Sequence, residues 1–301
     1  MINLKKYVYI TFSLLIIGAF IIFFMQPSNE MSKEPATQPE QDMQQEFEDH
    51  EVNDESDTSK ENQKQEEDTD QTGFPPNISG ALQNTISFFS NQETKIVAIG
   101  DSLTQGVGDE TDQGGYIGIL DRTINDGLQS VEIVNFGKRG NRTDQLLKRL
   151  GQEKIAREIA DSDLVLITIG ANDIMKIARE NIMHLVIDDF VAEMDGYESR
   201  IRQIFETIIA LNPDTHIYLV GFYNPFQQYF KDIKELDLIV GAWNTASSNI
   251  ASEYENITFI PTEDLFTVKA TNLFAEDNFH PNYEGYYLIA ERVLDYITNR
   301  R

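Results

Sequence analysis

The sequence predicts an α/β fold, one doubly wound domain built on a five-stranded parallel sheet with helices on both faces. Three observations carry that prediction. Five apolar runs rich in Val, Ile and Leu end in turn residues, stretches of helical periodicity separate them, and no second Pro/Gly-rich linker divides residues 74–301. Strands apolar on both faces belong to sheets covered on both sides, and alternation of strand and helix gives parallel pairing.

The strand runs, in order, are "KIVAIG" (95–100), "VEIVNFG" (131–137), "DLVLITIG" (163–170), "HIYLVGFY" (216–223) and "ITFIP" (257–261). Helical patterns lie near 116–128, 143–160, 188–211, 231–254 and 283–299. In a flavodoxin-like sheet of this kind, ligands bind beyond the carboxyl ends of the strands, beside the switch in strand order. The residues that follow each strand are therefore the ones to read for chemistry.

The first 73 residues are of another character. Tyr7 to Met25 form 19 uncharged positions, preceded by Lys5 and Lys6 and followed by Pro27. That length spans a hydrocarbon core of ~30 Å as a helix. A cleaved signal peptide carries a shorter apolar region, ~7–15 residues, ending in a small-x-small site. The length, the bulky end "FIIFFM" and the lack of an Ala-x-Ala site favour an uncleaved signal anchor over residues 1–29. Lysines on its N-terminal side put that end in the cytoplasm. The expectation is a single-pass cell-membrane protein whose domain over residues 74–301 is extracellular, with secretion after cleavage as the alternative.

Residues 30–73 form an acidic linker. From Glu30 to Thr72 there are 16 acidic residues against 3 lysines, about half of the formal net charge of −26. Such a segment cannot bury enough apolar surface to offset chain entropy, so disorder is expected, whether as a spacer or as a solubilising tail. The absence of cysteine excludes disulfides, thiolate metal sites and a cysteine nucleophile. The strongly acidic balance argues against nucleic acid as a partner.

The first strand runs into "IVAIGDSLTQGVG", which sets Ser102 just beyond the sheet. The second ends in "NFGKRGNRT", with Asn135, Gly137 and Gly140, and the third in "TIGANDI", where Asn172 offers a side-chain amide and Asp173 a helix cap. The last element, "AEDNFHPNYEGY", sets Asp277 three residues before His280. A carboxylate that accepts the Nδ1 proton fixes the imidazole tautomer and frees Nε2 as a base. A serine hydroxyl needs such a base, because unassisted it is too weak a nucleophile. His50, His184 and His216 have blander settings, solvated or structural. No second histidine or carboxylate stands at ligand spacing from His280, so neither a metal nor a cofactor is expected.

Together these blocks resemble the GDSL-type, or SGNH, hydrolases: "GDSLT" matches the first block, the glycine of "KRGNRT" the second, "GAND" the third and "DNFH" the last, all in order across residues 95–299. The anchor and acidic spacer are further similar to membrane-tethered bacterial lipase/acylhydrolases. The resemblance implies a serine esterase or lipase with Ser102 as nucleophile, His280 as base and Asp277 as its orienter. It also implies an oxyanion hole formed by Ser102, Gly140 and Asn172. Gly137 competes with Gly140 for the second donor, and the five-residue step from Asn135 favours Gly140.

The implied partner is a small-molecule or lipid ester met by a monomeric catalytic domain, with the membrane contacted through the N-terminal helix. A glycan O-acetyl esterase of the same fold and a non-catalytic surface binding module are the alternatives. Phe222, Tyr223, Phe226, Tyr229 and Phe230 follow the fourth strand and either line an acyl groove or pack in the core. Lys138, Arg139 and Arg142 form a small basic cluster, either an anion subsite or a solvated turn.

Overall fold

The computed structural model describes residues 88–89, 93–125, 131–181, 186–225, 234–267 and 272–299. The anchor (1–29), the acidic linker (30–73), His50, His184, Phe226, Tyr229 and Phe230 lie outside the described residues. Among the described residues, no helix is long and apolar enough to cross a membrane.

In chain order the elements are β1 (Thr94–Gly100), α1 (Ser102–Gln105), α2 (Gly115–Asn125), β2 (Val131–Gly137), α3 (Thr143–Leu150), α4 (Glu153–Ala160) and β3 (Leu164–Thr168). There follow α5 (Ala171–Glu180), α6 (Ile187–Leu211), β4 (His216–Val220), α7 (Lys234–Ala251), β5 (Ile257–Ile260), a 3₁₀ turn (Glu263–Phe266) and α8 (Tyr283–Thr298). The five strands form one sheet in the order β2-β1-β3-β4-β5, and every pairing is parallel. This is the doubly wound architecture that the alternating apolar runs predict.

Strand alternation sorts the side chains into two cores. On one face Val97, Ile99, Val165, Ile167, Ile217 and Leu219 pack under helices α3 to α7. On the other, Ile96, Ala98, Leu164, Leu166, Tyr218 and Val220 meet α2 and α8. The chain moves from β1 to β2 in one direction, then recrosses β1 to reach β3. The order therefore reverses at the β1/β3 junction, and the register aligns Gly100 with Gly137 on one side and with Thr168 on the other. A crevice opens at such a junction because the connections leave the two strands towards opposite faces.

Three local features depart from the expectation. The helical stretch 143–160 is two helices, because Gln152 adopts extended backbone (ψ 129°) between α3 and α4. A helix, α5, occupies 171–180, where the sequence offered Asp173 as a cap but no helical pattern; it buries only Asp173, Ile174 and Ile177, too short an apolar stripe to stand out. The third and fourth strands stop at Thr168 and Val220, short of the expected 170 and 223, although the apolar residues beyond them stay buried.

Candidate active site

Ser102 opens the single-turn helix α1 at the end of β1 and is 6 % exposed. Asp101 caps that turn: its Oδ1 accepts from the Leu103 N–H at 3.0 Å and from the Thr168 hydroxyl at 2.8 Å, while its own N–H donates to the Thr168 carbonyl at 3.1 Å. The Thr104 hydroxyl adds a bond to Thr168 Oγ1 at 2.7 Å. The turn is thus locked to the end of β3. A Cβ on Gly100 would stand 2.2 Å from the Thr168 carbonyl oxygen, so only glycine lets the two strand ends come this close.

Burial pushes the Asp101 carboxyl up to about 7, against the hydrogen bonds from Thr168 and Leu103 that favour its charged form. Because the folded-state value is raised, the stability this group contributes is full below the ordinary carboxylate range and is lost as pH rises through about 7. Asn in its place keeps an Oδ1 acceptor and cannot ionise. Asp101→Asn should therefore gain about 2–3 kcal/mol relative to the wild type between pH 5 and pH 8. Denaturant unfolding of both proteins at the two pH values checks this, and parallel pH profiles would contradict it.

The second block packs on the Ser102 turn. Asn135 Nδ2 donates to the Thr104 carbonyl at 2.8 Å, and its Oδ1 accepts from the Gly137 N–H at 2.7 Å. A Cβ on Gly137 would stand 2.2 Å from Gln105 N, so this glycine serves close packing against α1. Gly140 differs: its backbone is left-handed (φ +74°), it is exposed, and nothing lies within 4 Å of where its Cβ would be. Of the basic cluster beside it, Arg142 is engaged by Asp144 at 3.0 Å, while Lys138 and Arg139 are exposed.

In the third block Asn172 sits in the first turn of α5, and its Nδ2 donates to the Asn141 carbonyl at 3.1 Å. That bond joins the second and third blocks next to Gly140. Asp173 is a helix cap, but of a neighbouring helix. Its carboxylate accepts from the Thr143 N–H at 3.0 Å and the Thr143 hydroxyl at 2.5 Å, at the start of α3, and Arg200 Nη2 approaches at 3.4 Å. Burial raises its carboxyl above the ordinary range, more than the Thr143 bonds and the Arg200 charge lower it.

In the last block His280 Nδ1 and Asp277 Oδ2 are 2.6 Å apart, and Asp277 Oδ1 accepts the backbone N–H groups of Phe279 (3.0 Å) and His280 (2.9 Å). Burial works to raise the Asp277 carboxyl, but the His280 ring bond, the imidazole charge and the two backbone bonds outweigh it and hold it below the ordinary value. The loop is pinned from below by the Tyr223 hydroxyl, which donates to the Phe279 carbonyl at 2.9 Å. It also abuts the Ser102 turn. The Val107 N–H donates to the Ser102 carbonyl at 3.0 Å, the Tyr286 hydroxyl donates to the Val107 carbonyl at 2.6 Å, and a Cβ on Gly108 would meet His280 Cβ at 2.7 Å.

Phe222 and Tyr223 are core residues, each 4 % exposed; Phe222 packs over Gly170, and Tyr223 stacks on Phe266 at 3.8 Å. His216 is structural, with Nε2 2.9 Å from Thr258 Oγ1 on the adjacent strand. The sequence reading did not single out Thr168, Asn141 or Arg149, whose partners lie on other elements. The Arg149 guanidinium reaches the Gly100 and Phe136 carbonyls and Asn141 Oδ1.

The arrangement offers a serine at a strand end, a carboxylate-oriented imidazole, and a left-handed glycine beside a side-chain amide. Compared with known proteins, residues 98–288 match the GDSL-like Lipase/Acylhydrolase family. The chain is similar to the uncharacterized protein YpmR of Bacillus subtilis, 38% identical over 206 residues, covering 67% of this chain and 80% of that protein. It is similar to the spore germination lipase LipC of Bacillus licheniformis, 26% identical over 203 residues, covering 65% of this chain and 92% of that protein. Among solved structures, the lipase Lip_vut3 from a goat rumen metagenome shares the fold with a TM-score of 0.60 at 22% identity, over 68% of this chain and 97% of that one.

Proposed function

The chain belongs to the GDSL-like lipase/acylhydrolase family, and we propose that it is a serine esterase that hydrolyses carboxylic esters through an acyl-serine intermediate. The observation that carries this reading is the 2.6 Å contact between Asp277 Oδ2 and His280 Nδ1, in a loop that abuts the Ser102 turn. Ser102 Oγ attacks the ester carbonyl as His280 Nε2 takes its proton. Asp277 holds the Nδ1 proton and favours the imidazolium that forms. The protonated His280 then gives its proton to the departing alkoxide, and water repeats the sequence on the acyl-serine to release the acid.

The oxyanion is held by the N–H groups of Ser102 and Gly140 and by the Asn172 amide. Ser102 is the first residue of its helix, a position whose N–H has no acceptor inside the helix. Asn172 uses one amide hydrogen on the Asn141 carbonyl, and its second serves the substrate. Because that donor acts on the transition state, Asn172→Ala should lower kcat by about 10²–10³-fold with little change in KM. A matching rise in KM at unchanged kcat would assign Asn172 to ground-state binding instead.

The reaction is tested by turnover of p-nitrophenyl esters of two to sixteen carbons by the full-length protein. The optimum chain length separates a lipase from a deacetylase, and no turnover on any ester contradicts the proposal. The site is tethered, on this reading, to the outer face of the cell membrane by residues 1–29, as supported by the 19 uncharged positions after Lys5 and Lys6. Mass spectrometry of the native protein should recover Met1 or Ile2. A mature N-terminus near Gln26 to Ser32 would mean secretion.

A further inference from the structure

We infer that Arg149, a residue outside the four blocks of the site, is the positioning residue that aligns the oxyanion donors; the inference rests on the esterase reading and extends it. Arg149 lies in the last turn of α3, where a basic residue ordinarily faces solvent near the helix C-terminus. Here it is half-buried and turned under the strand ends, and desolvation lowers its pKa. Among the described residues no carboxylate pairs with it.

Its donors go instead to three acceptors, one just before Ser102 and two on either side of Gly140. Nη1 donates to the Gly100 carbonyl at 3.3 Å, two residues before Ser102. Nη2 donates to the Phe136 carbonyl at 2.6 Å, at the end of β2. Nη1 also donates to Asn141 Oδ1. Asn141 is buried, follows Gly140 directly, and through its carbonyl holds the Asn172 amide at 3.1 Å. The Gly100 carbonyl accepts the Lys138 N–H as well, at 3.0 Å, so the guanidinium braces the loop that carries Gly140 at both of its ends.

Only a planar fork with several fixed donors can satisfy acceptors spread over two strand ends and a side chain; a lysine ammonium is a shorter-reaching point charge. Half-burying a cation without an anion is a poor way to add stability. Its geometry suits preorganisation, since donors aimed at a developing charge must be held by a supporting layer before the reaction begins.

The test uses the full-length protein with Arg149→Met and Arg149→Lys, each checked for folding by thermal unfolding. Arg149→Met should lower kcat on p-nitrophenyl butyrate by about 10²-fold with KM within about threefold, and Arg149→Lys should recover only a minor part. In the double variant with Asn172→Ala the losses should not multiply, because both changes disable the same hole. Hydrogen exchange at Lys138 and Asn141, whose N–H groups donate to the Gly100 and Lys138 carbonyls, should quicken at least about tenfold while the β1 amides keep their protection. Wild-type kcat and exchange in Arg149→Met, or in Arg149→Lys if Met does not fold, would overturn the inference, as would fully multiplicative losses. Loosened exchange in a protein whose wild type turns over no ester would uphold the positioning role and sink the esterase reading alone.

Discussion

Ser102→Ala should abolish measurable ester turnover, lowering kcat by about 10⁵–10⁶-fold, and His280→Ala should cost nearly as much. The double variant should be no worse than either single one. Without the hydroxyl no acyl-serine forms, and without the imidazole the hydroxyl keeps its proton, so each change removes the same step. The residual rate, about 10³–10⁴ above water, should come from the oxyanion donors and substrate binding. Both residues are nearly enclosed, with Ser102 at 6 % and His280 at 1 % exposure, so thermal unfolding of each variant must accompany the kinetics. Additive losses across the pair would show that they do not act as one unit.

The second large effect is expected at Asp277. Asp277→Asn should lower kcat by about 10⁴-fold, because an amide facing Nδ1 can select the tautomer in which Nε2 carries the proton and cannot accept one. The loop itself should survive, since the asparagine Oδ1 can still accept the Phe279 and His280 N–H groups that Asp277 Oδ1 accepts now. Asp277→Ala removes those bonds too and should lose stability as well as activity. The wild-type carboxyl is held below its ordinary value, so its stabilisation is present above the ordinary carboxylate range and fades as pH falls through the folded-state value. Equal kcat in Asp277→Asn and the wild type would remove Asp277 from the mechanism.

The parts of this architecture that read from sequence are those whose determinants are local. Each strand is a largely apolar run closed by a turn, and Asp277 and His280 are three residues apart, so a single turn delivers the carboxylate to the ring. The parts that did not read are set by contacts between elements. Arg149 within "LLKRL" resembles a surface charge on a helix end, and nothing nearby in the chain announces that its acceptors are Gly100, Phe136 and Asn141. The sequence does not single out Asp101, whose burial depends on Thr168 across the β1/β3 junction. Asp173 has the residue type of a cap, but only packing decides that it caps α3 rather than α5. The step from Asn135 favours Gly140 over Gly137, but the close approach of Gln105 to Gly137 and the open space around Gly140 are set by packing.

The central claim, an acyl-serine formed at Ser102, is tested most directly by labelling the full-length protein with a fluorophosphonate ester and mapping the adduct by peptide mass spectrometry. The account predicts one adduct, on Ser102, formed in step with loss of esterase activity and strongly slowed in His280→Ala. An active enzyme whose adduct falls on another residue, or which loses no activity as Ser102 is labelled, would contradict it.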